Sequence, residues 1–516
     1  MTKTLRLLTA LALVAVAVGA GCGTGAGSGS GTDTAKLAPA SSFVYAEATI
    51  DPSGGQQAAM RSILGDLPGS GAPEQRLDNL LEEASRADHS RVDYLKDVKP
   101  WLGDKVAVFA APPRSGSASP AWAIVVATTD EAKARDAIEK AKRPGDEQRR
   151  YNGTGYTVDA DGTATATVGG FFLAGSESGL KAAIDASKGG SLSASDRYRQ
   201  ATANASGDRI ALVYEDTGGL LQMLASSSGQ SLGPAAPFVG RLFGGKPVVA
   251  TVRAEQQALV IDGSILPSGT GLDLSGKSTP LLGELPGDSW LAVGSSDVGT
   301  ALKNMIGLVA GAVGGEQALD RQLRSATGLD LQRDVLGWIG DAAVFVRGDS
   351  KQTIGGGVLI QSKDPAASER ALTKLAALAA RTGGGRLVSA ASVAGAQGYR
   401  LRLKGAPQAV YAVQKGDRVA ITYGLKAASD ALGGAGGGLA NANGLAGSAH
   451  KLGDEYAPSL YLSVPPIVRL AESLGASGRG YEKAKPYLTI LDYVIAGSTS
   501  GDGAASRTRI GFKPHD

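Results

Sequence analysis

The sequence predicts an α+β protein of two tandem homologous repeats, each a largely antiparallel sheet with interleaved helices. Two observations predict this fold: segments of the first half recur in the same order in the second half, and consecutive strand-like segments are often joined by short turns. Short turns favour antiparallel pairing, because parallel strands need a long crossover connection. We therefore expect one repeat over residues 39–267 and the other over 286–514.

Four pairs of similar segments indicate the duplication. Their spacings are 247, 237, 245 and 249 residues, so the order is kept and only small loop changes intervene. The most similar pair agrees at seven of eight positions. The pairs begin at Pro39 and Pro286, Asp97 and Asp334, Gly179 and Gly424, and Pro237 and Pro486. Chance matches would not stay collinear over such a length, so the duplication spans nearly the whole mature chain.

Within the first repeat, strand-like and helix-like segments alternate. Residues 77–84 place apolar side chains at i, i+3, i+4 and i+7, which predicts an amphipathic helix. Residues 121–127 are apolar throughout, as in a strand covered on both faces, and Asp130 can cap the helix that follows. Further strands are expected at 42–50, 155–159, 164–174, 209–215 and 247–265, with a short helix near 217–225.

The N-terminus resembles a bacterial lipoprotein signal. A basic start precedes an apolar run of 12 residues (7–18), which is shorter than the roughly 20 residues that span a bilayer. Small residues then precede Cys22, the only cysteine, although Gly19 stands where such signals usually carry an aliphatic residue. We expect lipid attachment at Cys22 after cleavage; the alternative is an ordinary secretory signal with an incidental cysteine.

The predicted organisation therefore has five parts. They are a signal peptide (1–21), a Gly/Ser-rich tether (22–38), repeat 1 (39–267), a linker (268–285) and repeat 2 (286–514). The Gly, Ser, Thr and Ala composition of the tether is that of a flexible spacer. Much of the glycine excess lies in the tether, the linker and the loops.

Composition and charge exclude several classes of function. Removing residues 1–21 takes two basic and no acidic residues from totals of 52 and 49, which leaves a net charge of +1 and no electrostatic case for nucleic acid. One cysteine and three histidines leave little for a metal site, so we expect no cofactor and no metal. Residues 240–246 resemble a P-loop, but Pro247 replaces the hydroxyl residue that would hold magnesium, and we reject that site.

The paired Trp-aliphatic-Gly-Asp segments and the opening Pro-x-x-x-aromatic strand resemble a known family. The segments LKDVKPWLGDKVAVF and DVLGWIGDAAVF are similar to secreted actinobacterial proteins, with cyanobacterial relatives, that are known only as containing a domain of unknown function. The resemblance covers about residues 37–514. It implies an exported, often membrane-anchored protein. It supplies no activity, so it implies no catalytic residues.

The duplicated aspartates and tryptophans are the candidate site residues. They are Asp97, Trp101, Asp104, Asp334, Trp338 and Asp341. Four carboxylates and two indoles could line a ligand site. The alternative is a structural corner, in which one Asp caps a short helix, Gly ends it, and Trp packs over the helix–strand junction. We favour the corner, because duplicated motifs mark what a repeated fold needs.

These observations favour a non-enzymatic binding or scaffold module, lipid-anchored at the outer face of the cytoplasmic membrane. Its partners would be the membrane, through the anchor, and an envelope protein or a hydrophobic ligand such as a lipid. The alternative is an envelope hydrolase whose catalytic residues are assembled non-locally. The sequence holds no Gly-x-Ser-x-Gly or His-Glu-x-x-His motif. Ser178–Lys181 and Ser448–Lys451 fit Ser-x-x-Lys, but the companion motifs of penicillin-binding enzymes are absent.

Overall fold

The computed structural model divides the chain into two compact units, the first holding the described residues up to 265 and the second those from 278 onward. The described residues are 33–50, 52–65, 93–113, 119–203, 205, 207–216, 218–219, 247–265, 278–310, 315–383, 388–433, 438–500 and 505–513. Some sequence predictions fall outside these ranges. They concern Cys22, the helix predicted at 77–84, the rejected segment 240–246, and the helix predicted near 217–225 except for its residues 218–219.

The described part of the first unit holds ten strands in one antiparallel arrangement. They are β1 (Val44–Thr49), β2 (Leu102–Ala111), β3 (Ala121–Thr128), β4 (Glu147–Tyr151), β5 (Thr154–Val158), β6 (Thr163–Val168), β7 (Phe171–Ser176), β8 (Ala211–Asp216), β9 (Pro247–Glu255) and β10 (Ala258–Ile265). Hydrogen bonding orders them β4-β5-β6-β7-β3-β2-β1-β8-β9-β10.

The described part of the second unit also holds ten antiparallel strands. They are β11 (Ser289–Ser295), β12 (Ile339–Arg347), β13 (Gly355–Ser362), β14 (Val388–Val393), β15 (Ala396–Leu401), β16 (Val410–Lys415), β17 (Arg418–Tyr423), β18 (Ala457–Ser463), β19 (Leu491–Ser498) and β20 (Ala505–Phe512). Their order, β14-β15-β16-β17-β13-β12-β11-β18-β19-β20, repeats that of the first unit. The expected mixture of helices with an antiparallel sheet is confirmed.

Helices connect the strands and cover the sheets. They are α1 (Gly54–Gly65), α2 (Glu131–Ala141), α3 (Glu177–Lys188), α4 (Asp196–Thr202), α5 (Leu281–Glu284), α6 (Val298–Ala310), α7 (Glu316–Thr327), α8 (Pro365–Gly383), α9 (Leu425–Ala431), α10 (Asn443–Leu452), α11 (Val464–Ser473) and α12 (Arg479–Ile490). Asp130 caps α2 by accepting hydrogen bonds from the backbone N–H groups of Ala132 and Lys133, as the sequence predicts. Asp364 accepts from the Ala367 N–H at the start of α8.

The central strands of the first sheet are buried on both faces. One face carries the larger core, in which Tyr45, Phe109, Leu173 and Leu212 are almost fully buried. The other face carries a smaller cluster of Trp101 and the aliphatic residues of β2 and β3. Burial of both faces accounts for the uninterrupted apolar run in β3, because neither side of that strand meets water.

The structure corrects the extent of the tether. We expected a spacer over 22–38, but Thr34–Lys36 form a turn of 3₁₀ helix, and Leu37 and Ala38 are buried in the core of the first unit. The Ala38 carbonyl accepts a hydrogen bond of 2.7 Å from the Leu192 N–H. The linker expected over 268–285 is shortened in the same way, because α5 and Leu285 are part of the second core.

A buried polar network holds this N-terminal segment to the sheet. Thr34 Oγ1 lies 2.7 Å from Tyr45 Oη and 3.2 Å from Glu47 Oε2, and Tyr45 Oη donates to Glu47 Oε2 at 2.9 Å. Arg209 completes the network with a 3.0 Å bond to Glu47 Oε1. Burial pushes the pKa of Glu47 upward, but the charge of Lys105 and these hydrogen bonds outweigh it, so the pKa lies below its ordinary value.

We predict that Leu37→Ala lowers the free energy of unfolding of the first unit by about 2–5 kcal/mol, because the side chain is buried and its loss leaves a cavity. Urea denaturation of the mature chain measures the change. Lys36→Ala is the matched control, since Lys36 is exposed and should change stability by less than about 0.5 kcal/mol. Equal stability of Leu37→Ala and the control would contradict a folded role for residues 33–38.

Candidate functional site

The first candidate corner is built on a short turn of π-helix, Tyr94–Val98. Asp97 Oδ2 accepts a 2.8 Å hydrogen bond from the Asp93 N–H, and both of its carboxylate oxygens bind Lys140 Nζ on α2, at 2.6 and 2.7 Å. The indole N–H of Trp101 donates to the Asp97 carbonyl at 2.5 Å. Burial would raise the pKa of Asp97, but the bonds from Lys140 and Asp93 lower it.

The second corner repeats these contacts. Asp334 lies in the π-helical turn Leu331–Leu336 and accepts from the Asp330 N–H at 2.9 Å and from Lys374 Nζ on α8 at 2.6 Å. The Trp338 indole donates to the Asp334 carbonyl at 3.3 Å. Although burial opposes ionisation, the bonds from Lys374 and Asp330 lower the pKa of Asp334 to about 2.

A glycine after each tryptophan allows the backbones to approach. A Cβ at Gly103 would lie 2.7 Å from the carbonyl oxygen of Ala127, and one at Gly340 would lie 2.7 Å from the carbonyl oxygen of Gln361. Both positions coincide with a shift in strand register. The close approach brings each preceding indole over the sheet, where both rings are only 4% exposed.

The later aspartates of the motif have different surroundings in the two units. Asp104 is exposed on β2, and its carbonyl accepts from the Ile50 N–H at 2.6 Å. Asp341 accepts from Thr279 Oγ1 at 2.7 Å and from the Asp297 N–H at 3.0 Å, which ties the segment before α5 to the start of α6. Asp341 therefore joins chain segments of the second unit.

The described contacts do not form a ligand pocket around these residues. Each indole is buried with its N–H bonded to a backbone carbonyl, and Asp97 and Asp334 are each bound by a lysine. Nowhere in the described ranges do three His, Cys, Asp or Glu side chains come together as a metal would require. The arrangement supports the packing of helix against strand.

The described serine and histidine side chains supply no nucleophile with a base. Ser178 Oγ pairs with Ser176 Oγ at 3.1 Å, whereas Lys181, one turn along α3, binds Glu177 at 2.9 Å. The side chain of His450 is 84% exposed, and the acidic group beside it, Asp454, is also at the surface. His89 and His515 lie outside the described residues. The geometry that the alternative hydrolase hypothesis requires is therefore not found in the part of the chain that the structure describes.

The structure reveals an open groove that the sequence analysis missed. It has a volume of about 740 Å³ and lies between α2 and strands β4 to β6 of the first unit. The residues that line it include Arg135, Ile138, Gln148, Arg150, Thr157 and Thr165. The groove coincides with a difference between the two units: α8 is longer than α2, although the two helices occupy the same place in the order of elements.

An ion-pair network lies on the strands that form the groove, and two of its members, Arg149 and Tyr156, also line the groove. Glu177 accepts from Tyr156 Oη at 2.6 Å and pairs with Lys181 at 2.9 Å and Arg149 at 2.6 Å. The hydrogen bond from Tyr156, together with the two cations, lowers the pKa of Glu177 to about 2. The network fixes β4 and β5 against α3, so the strands under the groove are held in place.

A family model described as "Protein of unknown function (DUF3352)" matches residues 6–395. No curated protein matches the chain. Crystal form I of TP0453 is similar with a TM-score of 0.23 and 9% identity, covering 46% of this chain and 80% of that chain. Crystal form IV gives 0.24 and 10%, covering 44% and 78%. These scores are too low to support an inference.

Of the described helices, none combines the length and apolarity needed to cross a membrane.

We predict that Asp334→Asn destabilises the second unit by about 2 kcal/mol at pH 7, because Lys374 loses its buried partner. The folded pKa of about 2 lies below the ordinary 3.8, so the contribution of Asp334 is present above pH 3.8 and is lost as the pH falls towards 2. Denaturation at pH 7, 4 and 2 should show the wild type and the variant converging in acid. Asp454→Asn, at an exposed site, is the control; a pH-independent difference would contradict the role of the Asp334 charge.

Proposed function

The chain belongs to the DUF3352 family of proteins of unknown function, and from this premise we propose that it is a lipid-anchored binding or scaffold module without enzymatic activity. Its place would be the outer face of the cytoplasmic membrane, with its two units derived by duplication. The open groove of the first unit is the observation that carries the binding role, because ligand sites are concave and combine an apolar wall with a few polar groups.

Equivalent contacts in the two units support the duplication. The strand order is the same in both, and so is the corner of π-helical turn, buried tryptophan and lysine-bound aspartate. The Leu285 carbonyl accepts a 2.7 Å bond from the Leu439 N–H, as the Ala38 carbonyl does from Leu192. Pro39 and Pro286 each form an isolated bridge to the segment just before those leucines.

Sequence features support the anchor. Cys22 follows the apolar signal, and only ten residues (23–32) separate it from the first described residue, Asp33. Fully extended, ten residues reach about 35 Å, and a Gly-rich chain of that length has a mean end-to-end distance of roughly 17 Å. A lipid on Cys22 would therefore hold the first unit close to the membrane surface.

We expect the protein to incorporate a radiolabelled fatty acid and to fractionate with membranes. Cys22→Ala should abolish the label and release the chain, because no other cysteine can accept the lipid. Gly19→Leu, which restores the residue usual in such signals, should label at least as strongly as the wild type. Labelling that persists in Cys22→Ala would contradict the anchor.

A hydrophobic ligand is a second candidate for what the module binds, favoured by an exposed apolar surface on the second sheet. Val293 and Val344 are opposite each other on β11 and β12 and are 39% and 46% exposed. Leu460 and Val358 extend the row on the two flanking strands. Aliphatic side chains in such a row lose contact with water when an acyl chain covers them.

For this candidate we expect lipid to co-purify with the mature chain under native conditions and to appear by mass spectrometry after solvent extraction. Changing both Val293 and Val344 to Thr should lower the amount per protein several-fold. Leu474→Thr, also exposed but elsewhere, serves as the control. Recovery of no lipid beyond the anchor itself, or equal recovery from all variants, would count against this ligand.

A further inference from the structure

The floor of the groove is polar, and strand register shows which side chains share it. Gln148 on β4 is opposite Thr157 on β5, which in turn is opposite Thr165 on β6. One position along, Arg150 is opposite Gly155. Because directly opposed residues lie on the same face of a sheet, these residues form one surface. Gly155 leaves a gap in it, since a Cβ built there meets no atom within 4 Å.

The wall of the groove is α2, which contributes both charge and an apolar surface. Arg135 donates to Thr167 Oγ1 on β6 at 3.1 Å and pairs with Glu131 on its own helix. Glu139 is neutralised by Lys142 at 2.5 Å. Ile138 lies between Arg135 and Glu139 along the helix and also lines the groove. Two of the three acidic side chains of the helix, Glu131 and Glu139, are thus paired, and the third, Asp136, is exposed and is not among the residues that line the groove.

Arg150 supplies the charge of the floor. It is exposed, and its side chain makes no hydrogen bond or ion pair within the described part of the chain. Thr157 is buried and Thr165 partly so, and neither hydroxyl bonds to another described side chain. The floor therefore offers one unpaired guanidinium, two hydroxyls that can donate or accept, and the amide of Gln148.

The second unit covers the equivalent surface. Tyr399 and Ala412 are opposite each other on β15 and β16, as Thr157 and Thr165 are on β5 and β6. There α8, at 19 residues against 11 for α2, lies over the strands, and Tyr399 Oη donates to its Thr373 Oγ1 at 3.2 Å. The surface that is apolar and covered in one unit is therefore polar and open in the other.

We propose that this groove of the first unit binds an anionic oligosaccharide, a sugar chain that bears carboxylate or phosphate groups. This inference rests on the proposed binding role and names its ligand class. A guanidinium binds such an oxyanion with two parallel hydrogen bonds, whereas hydroxyl and amide groups match the alternating donors and acceptors of a sugar. The volume of about 740 Å³ admits several sugar residues, and Ile138 offers an apolar wall for their C–H faces.

The test is calorimetric titration of the mature full-length chain at low ionic strength with three probes. Tetragalacturonic acid carries both charge and hydroxyls, maltotetraose carries hydroxyls alone, and tetraglutamate carries charge on a peptide. We expect the acidic sugar to bind most tightly, with an affinity that falls as salt is added, because the ion pair is solvent-accessible.

Two substitutions locate the site. Arg150→Gln removes the unpaired charge and should weaken binding of the acidic sugar about tenfold. Gly155→Trp fills the gap without removing any contact, since Gly155 has no left-handed φ and open space at its Cβ, and should weaken binding by tenfold or more. The controls are Arg370→Gln, which removes an exposed charge in the second unit, and Gly480→Trp, at another open glycine; both should bind as the wild type does.

Each other outcome overturns the proposal in a distinguishable way. No binding of tetragalacturonic acid would exclude this ligand class, and equal binding of tetraglutamate would show that charge alone is recognised. Unchanged affinity in both groove variants would put the ligand elsewhere, leaving a binding module without this site. Membrane release of Cys22→Ala is independent of all three results, so failure of the groove does not count against the anchor.

Discussion

The close approach of Gly103 to the carbonyl oxygen of Ala127 is the constraint on which the corner of the first unit depends. A side chain at this position would clash with that oxygen, so only glycine lets β2 approach β3 here. The register shift that follows lays Trp101 over the sheet, and the bond from its indole then fixes the turn that carries Asp97. Lys140 of α2 binds that carboxylate. One backbone contact thus positions a strand, a turn and a helix.

Sequence patterns predicted those strands and helix caps whose residue types agree with their burial in the structure. The strand at Ala121–Thr128 is apolar because both its faces are covered, and Asp130 stands where a cap is needed. The prediction failed where the bounds of a strand depend on the backbone conformation or on the place of the strand in the sheet. The region expected as one strand over 164–174 is two, β6 and β7, because Gly169 and Gly170 both take positive φ and turn the chain. Strand β4 is charged and lacks apolar alternation, as an edge strand can be, and was therefore missed.

The candidate residues were found because the motif recurs, but recurrence could not say what they contact. The lysines that bind Asp97 and Asp334 lie 43 and 40 residues further along the chain, on helices whose packing the sequence does not specify. The groove could not be predicted from the sequence for a related reason. Its floor is made by strand register, and Thr157 and Thr165 look like ordinary strand residues until their pairing is known. Residues 33–38 were misassigned because their composition continues that of the tether, whereas burial depends on the Tyr45–Glu47 network.

Under the proposed duplication, the two units show which contacts the fold requires and which were free to change. The glycine, tryptophan and lysine-bound aspartate of the corner occur in both, because each unit must close the same junction between helix and sheet. The face of strands β4 to β6 beside α2 takes no part in that junction. A longer helix covers it in the second unit, whereas in the first the shorter helix leaves Arg150 exposed and Thr165 partly exposed. An open polar face is solvated without a partner, so it costs the fold little, and the residues of the groove can therefore change without disturbing the corner that holds the unit together.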